Sequence, residues 1–177
     1  NYGRNTSIDR KLVDQTLRSL LSEVRRESDF PKIHLIHGDM SDKEIAELYR
    51  HPKIKALVSL TKGEGYGLPI LEAAASGLPV IATGWSGHMD FLNQGKFISV
   101  DYSLQEIHPS RIDGKIFLKG MSWANPSEQD FKKKIVKFKN SPAIPKEWSK
   151  DLQAKILEKY SIEAIINLYN KLTEDLF

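Results

Sequence analysis

The sequence predicts an α/β fold in which a parallel β-sheet carries helices on both faces. Two observations point there. Between residues 32 and 83 the order reads strand, helix, strand, helix, strand, and the second of those helices has proline in its first turn and glycine directly after its last residue. Alternation at this spacing indicates parallel strands joined by crossover helices, and ligands of such sheets lie outside the carboxyl ends of the strands.

From Ile8 the apolar residues Ile8, Leu12, Val13, Leu17, Leu20, Leu21 and Val24 recur at helical spacing, with Arg10, Lys11, Asp14, Arg18 and Glu23 between them, which predicts a long surface helix. Lys32–His37, KIHLIH, is short, β-branched and apolar, and runs into Gly38-Asp39, so it reads as a strand. Ser41 and Glu44 form a capping box that opens a short helix through Ile45, Leu48 and Tyr49. Ile54–Leu60 is the second strand, Pro69–Ser76 a helix stopped by Gly77, and Pro79–Thr83 the third strand. A glycine-bearing loop, GWSGH, follows, then a helical piece at Met89–Leu92 and a strand at Lys96–Val100; residues 101–125 read as irregular. Ser127 and Asp130 cap a helix carrying Phe131, Ile135, Val136 and Phe138, and after Pro142 and Pro145 two further helices are expected at Glu147–Lys159 and Ile162–Glu174.

The chain has 177 residues, enough for one sizeable domain, with 40% hydrophobic, 28% charged and 9% aromatic residues, an ordinary globular balance. No apolar run approaches the ~20 residues of a membrane span, and the amino terminus lacks the pattern of a signal peptide. There is no cysteine, which excludes disulfides, thiolate catalysis and cysteine metal sites, and fits a reducing compartment, so a cytoplasmic location is expected. The 26 basic residues against 23 acidic ones give a net charge of +3, without a strong pull towards nucleic acid. The chain opens on Asn1 in what reads as a strand tail and loop, as a piece of something longer would.

The stretch with chemistry in it is TKGEGYGLPILEAAA, at the end of the second strand. Gly63, Gly65 and Gly67 leave a backbone that a ligand can approach closely, and the helix after them offers unpaired N–H groups and the positive end of its dipole, which suits a phosphate. Glycines between a strand and a helix also serve as a plain tight turn. Glu72, three positions after Pro69, has an alternative as a helix-start acid. Glu64 has no comparable local explanation.

EGYGLPILEAAASGLPVIAT, from Glu64 to Thr83, resembles the signature of the retaining family-four glycosyltransferases of GT-B fold, a glutamate, seven residues and a glutamate within E-G-[FY]-G-L-P-x-L-E-A-x-A-x-G-x-P-V-I-A. The likeness continues upstream through HGDMSDKEIAELYRHPKIKALVSLTKGEGYG and downstream through TGWSGHMDFL, where Asp90 stands in place of the commoner glutamate, SWANPS and KYSIEAIINLYNKL. It implies a Rossmann-like domain, one half of a GT-B enzyme: the carboxy-terminal, nucleotide-sugar-binding domain, with residues 1–177 as a single domain and the acceptor-binding amino-terminal domain outside the chain. The resemblance implies that Glu64 contacts the donor sugar, that Glu72 holds the ribose hydroxyls, and that Gly65, Tyr66, Gly67 and Leu68 face the sugar and diphosphate. It also implies a basic pair on the diphosphate in place of a metal. Arg4 and Lys11 are the candidates, Arg10 being able to replace Lys11, and a solvated helix face is the alternative for Arg10 and Lys11.

The resemblance thus implies retaining transfer of a hexose from a nucleotide diphosphate sugar to an acceptor hydroxyl, without cofactor or metal, with this domain inactive alone. A non-catalytic nucleotide-sugar-binding module and a nucleotide-sugar epimerase of the same fold are the alternatives. His34, His37, His51, His88 and His108 lack metal-ligand spacing. His88, after Gly87, is a candidate donor contact or a plain helix-start residue, and Asp90 is equally a helix-start acid. The lysines at 132, 133, 134, 137 and 139 allow peripheral contact with an anionic membrane, against the plainer reading of an amphipathic helix packed on the core. Trp85, Trp123 and Trp148 read as packing residues, Trp85 in a loop at the ligand edge.

Overall fold

The computed structural model describes residues 6–24 and 30–174. The chain divides into two compact units, Asn1–Ile45 and Ala46–Phe177.

In the first unit, helix α1 spans Ser7–Val24. Thr6 and Asp9 cap it reciprocally: the Asp9 carboxylate accepts from the Thr6 N–H at 2.9 Å and the Thr6 hydroxyl accepts from the Asp9 N–H at 3.2 Å. Arg10 and Lys11 are exposed on this helix. The Ser41 and Glu44 capping box forms as the sequence predicts, the Glu44 carboxylate accepting from the Ser41 N–H at 2.8 Å, and opens α2, Asp42–Arg50. The strand predicted at Lys32–His37 is a correction. The segment joins no ladder among the described residues, and Ile33, Leu35 and Ile36 stay exposed. Its β-branched composition supplies the local preference, but a strand exists only through the partner that satisfies its N–H and C=O groups.

The second unit holds the sheet. Strands β1 (Leu57–Ser59), β2 (Val80–Thr83) and β3 (Ile98–Val100) lie in that order, all parallel, with Val58 opposite Ile81 and Ala82 opposite Ser99. Helix α3 (Leu68–Ala75) connects β1 to β2, and the short α4 (Met89–Leu92) connects β2 to β3. The middle strand is buried throughout, so its period-two alternation feeds two cores. Val80 and Ala82 face Ile70, Ala74, Phe91 and Leu92 together with Leu152 and Ile156 of α6 (Ala143–Tyr160). Ile81 points the other way, with Val100, onto Phe138, Phe131 and Ile135 of α5 (Glu128–Asn140). Helices therefore cover both faces, as the sequence predicts. Ile81 is completely buried, and truncating it to alanine is expected to cost about 2–5 kcal/mol.

Helix α3 ends in a Schellman turn. Gly77 sits at φ 77°, its N–H donates to the Ala74 carbonyl at 3.0 Å and the Leu78 N–H to Ala73 at 3.1 Å, while Gln153 of α6 donates to Ala75 at 2.9 Å. Helix α5 is capped by Ser127, whose hydroxyl accepts from the Asp130 N–H, as the sequence predicts. Its apolar side chains Phe131, Ile135 and Phe138 pack on the sheet, and Lys134 reaches back to the Ser99 carbonyl at 2.6 Å and to Asp130 at 2.7 Å. The plainer reading of the lysine-rich helix is the one the packing matches.

Three further elements depart from expectation. Helix α6 starts at Ala143, ahead of the predicted Glu147, because Pro145 falls in its first turn, where a missing N–H costs nothing. Residues read as irregular contain β4 (Tyr102–Glu106) and β5 (Ser122–Pro126), an antiparallel pair with Leu104 opposite Ala124 and Gln105 opposite Trp123. Helix α7, Ile162–Glu174, completes the unit. No helix among the described residues is long and apolar enough to cross a membrane.

Candidate donor-binding site

The loops that follow β1 and β2 leave the same edge of the sheet and are sewn together there. The Thr83 hydroxyl donates to the Thr61 carbonyl at 2.9 Å. Ser86 Oγ accepts from the Glu64 N–H at 2.9 Å and donates to the Glu64 carbonyl at 2.8 Å, and the Gly87 N–H donates to that same carbonyl at 3.1 Å. Contact is so close that a Cβ on Gly87 would stand 2.0 Å from the Gly65 oxygen. Ser86 itself has φ 98°, a left-handed backbone rare for a residue with a side chain, held by these bonds.

Glu64 is thus fixed at its backbone by a second loop, while its half-buried carboxylate has no hydrogen bond or ion pair among the described residues. Beyond it, the N–H groups of Gly65, Tyr66, Gly67 and Leu68 donate to no acceptor among the described residues. Gly67, the N-cap of α3, has φ 87°, which only glycine adopts at little cost, and a Cβ there would lie 3.0 Å from that of His88. A row of unsatisfied donors ahead of a helix amino terminus is an anion-binding arrangement.

Glu72 lies beyond the first turn of α3, whose first turn contains no acid, so the helix-start alternative is removed. Its carboxylate is exposed and neighbours Tyr49 of α2; burial, followed by the Glu72 charge, pushes the Tyr49 phenol up. The Tyr66 ring turns away from the loop, edge-on to Phe91 at 5.4 Å. The Tyr160 hydroxyl donates to Asp90 at 3.1 Å; burial, then Tyr160 and Asp90, push the Tyr66 phenol up. Leu68 is exposed at the loop rim.

His88 is completely buried, with Nε2 2.7 Å from the Thr83 carbonyl and Nδ1 without a partner among the described residues. The Nε2 contact requires the ring to donate there. Its place is beneath the Gly67 turn, as a strut between the two loops. Arg4 lies outside the described residues, and Lys11 is exposed on α1 in the first unit. No group of three or more His, Asp or Glu side chains among the described residues is placed to hold a metal.

Three contributors were not singled out from sequence. Ser86 carried no signal beyond lying in a glycine-bearing loop. Tyr49 read only as part of a helical stripe. Lys62, inside the quoted motif, accepts at its carbonyl from the Ala124 N–H of β5 at 2.9 Å, and its ammonium lies over the Trp123 ring, 4.7 Å from the centroid. Trp85 packs against Gly63 and lies 6.3 Å from Tyr102, so the hairpin flanks the glycine loop.

Comparison with known proteins gives the same direction. Two curated proteins, both named serotype-specific mannosyltransferase WbdA, from Escherichia coli, are 40% identical over 63 residues, which is 36% of this chain and 8% and 7% of their own lengths. The chain spans a small part of these relatives. The family model described as glycosyl transferases group 1 matches residues 21–155, most of the chain and all of the glycine loop with both acids. The chain belongs to the group 1 glycosyltransferases.

Proposed function

We propose that this chain is the nucleotide-sugar-binding, carboxy-terminal part of a retaining hexosyltransferase of family four, which transfers a hexose from a nucleotide diphosphate sugar to an acceptor hydroxyl. The observation that carries it is the row of N–H groups from Gly65 to Leu68, which, like the Glu64 carboxylate before it, has no partner among the described residues, with the exposed Glu72 carboxylate after it. The row suits a diphosphate and the acids suit hydroxyls, so one ligand with an anionic middle and polyol ends fits both.

In this reading Glu72 holds the ribose, Glu64 holds the sugar, and Arg4 and Lys11 neutralise the diphosphate in place of a metal. The bond from the anomeric carbon to the diphosphate oxygen breaks, and the bond to the acceptor oxygen forms on the same face. The acceptor proton passes to the leaving phosphate oxygen. The protein contributes position and charge stabilisation. The acceptor is held by an amino-terminal domain of the full-length protein, so this chain alone binds donor without turnover, at a cytoplasmic location. The relatives' name makes mannose the first sugar to examine.

Calorimetry with GDP-, UDP- and ADP-linked hexoses tests the proposal. One of the three is expected to bind, and Glu72→Ala to abolish measurable binding. An absence of binding by all three sinks it.

A further inference from the structure

Lys62 stands two residues ahead of Glu64, at the mouth of the glycine loop, and is held at both ends by the β4–β5 hairpin. Its carbonyl accepts from the Ala124 N–H at 2.9 Å, and its ammonium rests 4.7 Å from the centroid of the Trp123 ring. Trp123 is itself braced edge-on by Phe117, with centroids 5.9 Å apart. An aromatic face orders a flexible lysine stem without neutralising the charge at its tip.

The charge has no counter-ion among the described residues. Lys132, Lys134 and Lys155 are each paired with a carboxylate one helical turn away, whereas Lys62 has no ion pair among the described residues. Further along the same loop comes the row of N–H groups from Gly65 to Leu68 that donate to no acceptor among the described residues. Those donors and the helix behind them offer only partial charge, about half an elementary charge at a helix amino terminus. A diphosphate brings full negative charges, and a pre-ordered cation at the same loop matches what the backbone leaves uncompensated.

We propose that Lys62 is a diphosphate-binding residue of the donor site, kept ready on the Trp123 face, and that the β4–β5 hairpin takes part in donor binding through it. This rests on the donor-domain reading and adds a cation supplied by the loop itself. In the bound state the ammonium leaves the indole face for a phosphate oxygen, with the lysine carbonyl still fastened to β5.

Lys62→Gln, Lys62→Arg and Trp123→Leu test it, with the nucleoside diphosphate that binds best among GDP, UDP and ADP measured by calorimetry and the matching nucleoside by ligand-observed NMR. Lys62→Gln is expected to weaken diphosphate binding about tenfold, the loss of one charge-assisted hydrogen bond, and to leave nucleoside binding unchanged. Lys62→Arg keeps most of the affinity. Trp123→Leu gives a smaller loss confined to the diphosphate. Raising salt should weaken the unaltered chain more than Lys62→Gln. Unchanged diphosphate affinity in Lys62→Gln overturns the inference and leaves the donor reading intact. Equal losses of diphosphate and nucleoside, with a lowered melting temperature, also overturn it, since they mark Lys62 as a staple of the hairpin. If no nucleoside diphosphate binds the unaltered chain, the donor reading fails and this inference with it.

Discussion

Ser86 Oγ closes a two-way hydrogen bond with the main chain of Glu64, accepting from its N–H at 2.9 Å and donating to its carbonyl at 2.8 Å. Ser86 holds φ 98° to do so. Ser86→Ala keeps the backbone strain and loses both bonds, so it is expected to destabilise the protein by about 1–3 kcal/mol. Ser86→Gly loses the same bonds but relieves the left-handed backbone, and should be about 1 kcal/mol more stable than Ser86→Ala. Urea denaturation of the two variants measures the difference. Both should bind donor more weakly, because Glu64 is no longer fixed from the second loop.

Gly87 and Gly65 face each other and predict opposite behaviour. A Cβ on Gly87 meets main-chain atoms, the Gly65 oxygen at 2.0 Å and the Glu64 oxygen at 2.9 Å, which cannot swing aside as a side chain does. Gly87→Ala should therefore cost about 1–3 kcal/mol or more and abolish donor binding. A Cβ on Gly65 meets nothing within 4 Å, and its φ is not left-handed. Gly65→Ala should fold with native stability and yet bind donor poorly, since the added methyl occupies the side from which a ligand approaches the N–H row. Thermal melts beside donor titrations separate the two effects.

What sequence could show follows the range of the interactions involved. Helix α3 was legible because Pro69 and Gly77 act on their own backbone, and β2 because a run of apolar residues buried on both faces looks alike from either side. The Ser127 cap was legible for the same local reason. KIHLIH failed because propensity does not supply a ladder partner. The β4–β5 hairpin was missed because β4 is exposed along its whole length and finds its partner across a long connection. In the site, the bare backbone around Glu64 was visible in the letters, whereas the work of Ser86 depends on a left-handed φ and a partner 22 residues away. His88 was placed at the right edge, but its complete burial depends on how the two loops press together.

Asp130 gives a pH signature outside the site. Its carboxylate accepts from the Asp101 N–H at 2.8 Å and from Lys134 at 2.7 Å, and these hold it below the usual carboxylate range, the backbone bond foremost. A lowered native pKa means a contribution fully present above the unfolded value, about 3.9, and lost as pH falls through the native one. The urea midpoint of the unaltered chain should therefore exceed that of Asp130→Asn by a constant margin from pH 7 to about pH 5. The margin should shrink towards pH 3. A margin that persists undiminished in acid would show that the carboxylate's charge contributes nothing.

Tyr49 and Glu72 give the most direct test of the ribose assignment. Burial, followed by the charge of the neighbouring Glu72 carboxylate, raises the Tyr49 phenol, so it stays a neutral potential donor to that carboxylate beyond its ordinary range. A neutral phenol beside the carboxylate can donate to one of its lone pairs and orient it, which leaves the others for two neighbouring hydroxyls. Tyr49→Phe is expected to weaken nucleoside diphosphate binding by about two- to tenfold, the worth of one hydrogen bond. Glu72→Gln should weaken it further. If Tyr49 acts through Glu72, adding Tyr49→Phe to Glu72→Gln should cost nearly nothing more, because the two residues are coupled. Ultraviolet titration supplies a readout independent of ligand: in Glu72→Gln the Tyr49 phenol should ionise at lower pH than in the unaltered chain. Additive losses in the double variant would mean that Tyr49 meets the ligand itself and that the ribose is not held by Glu72 alone.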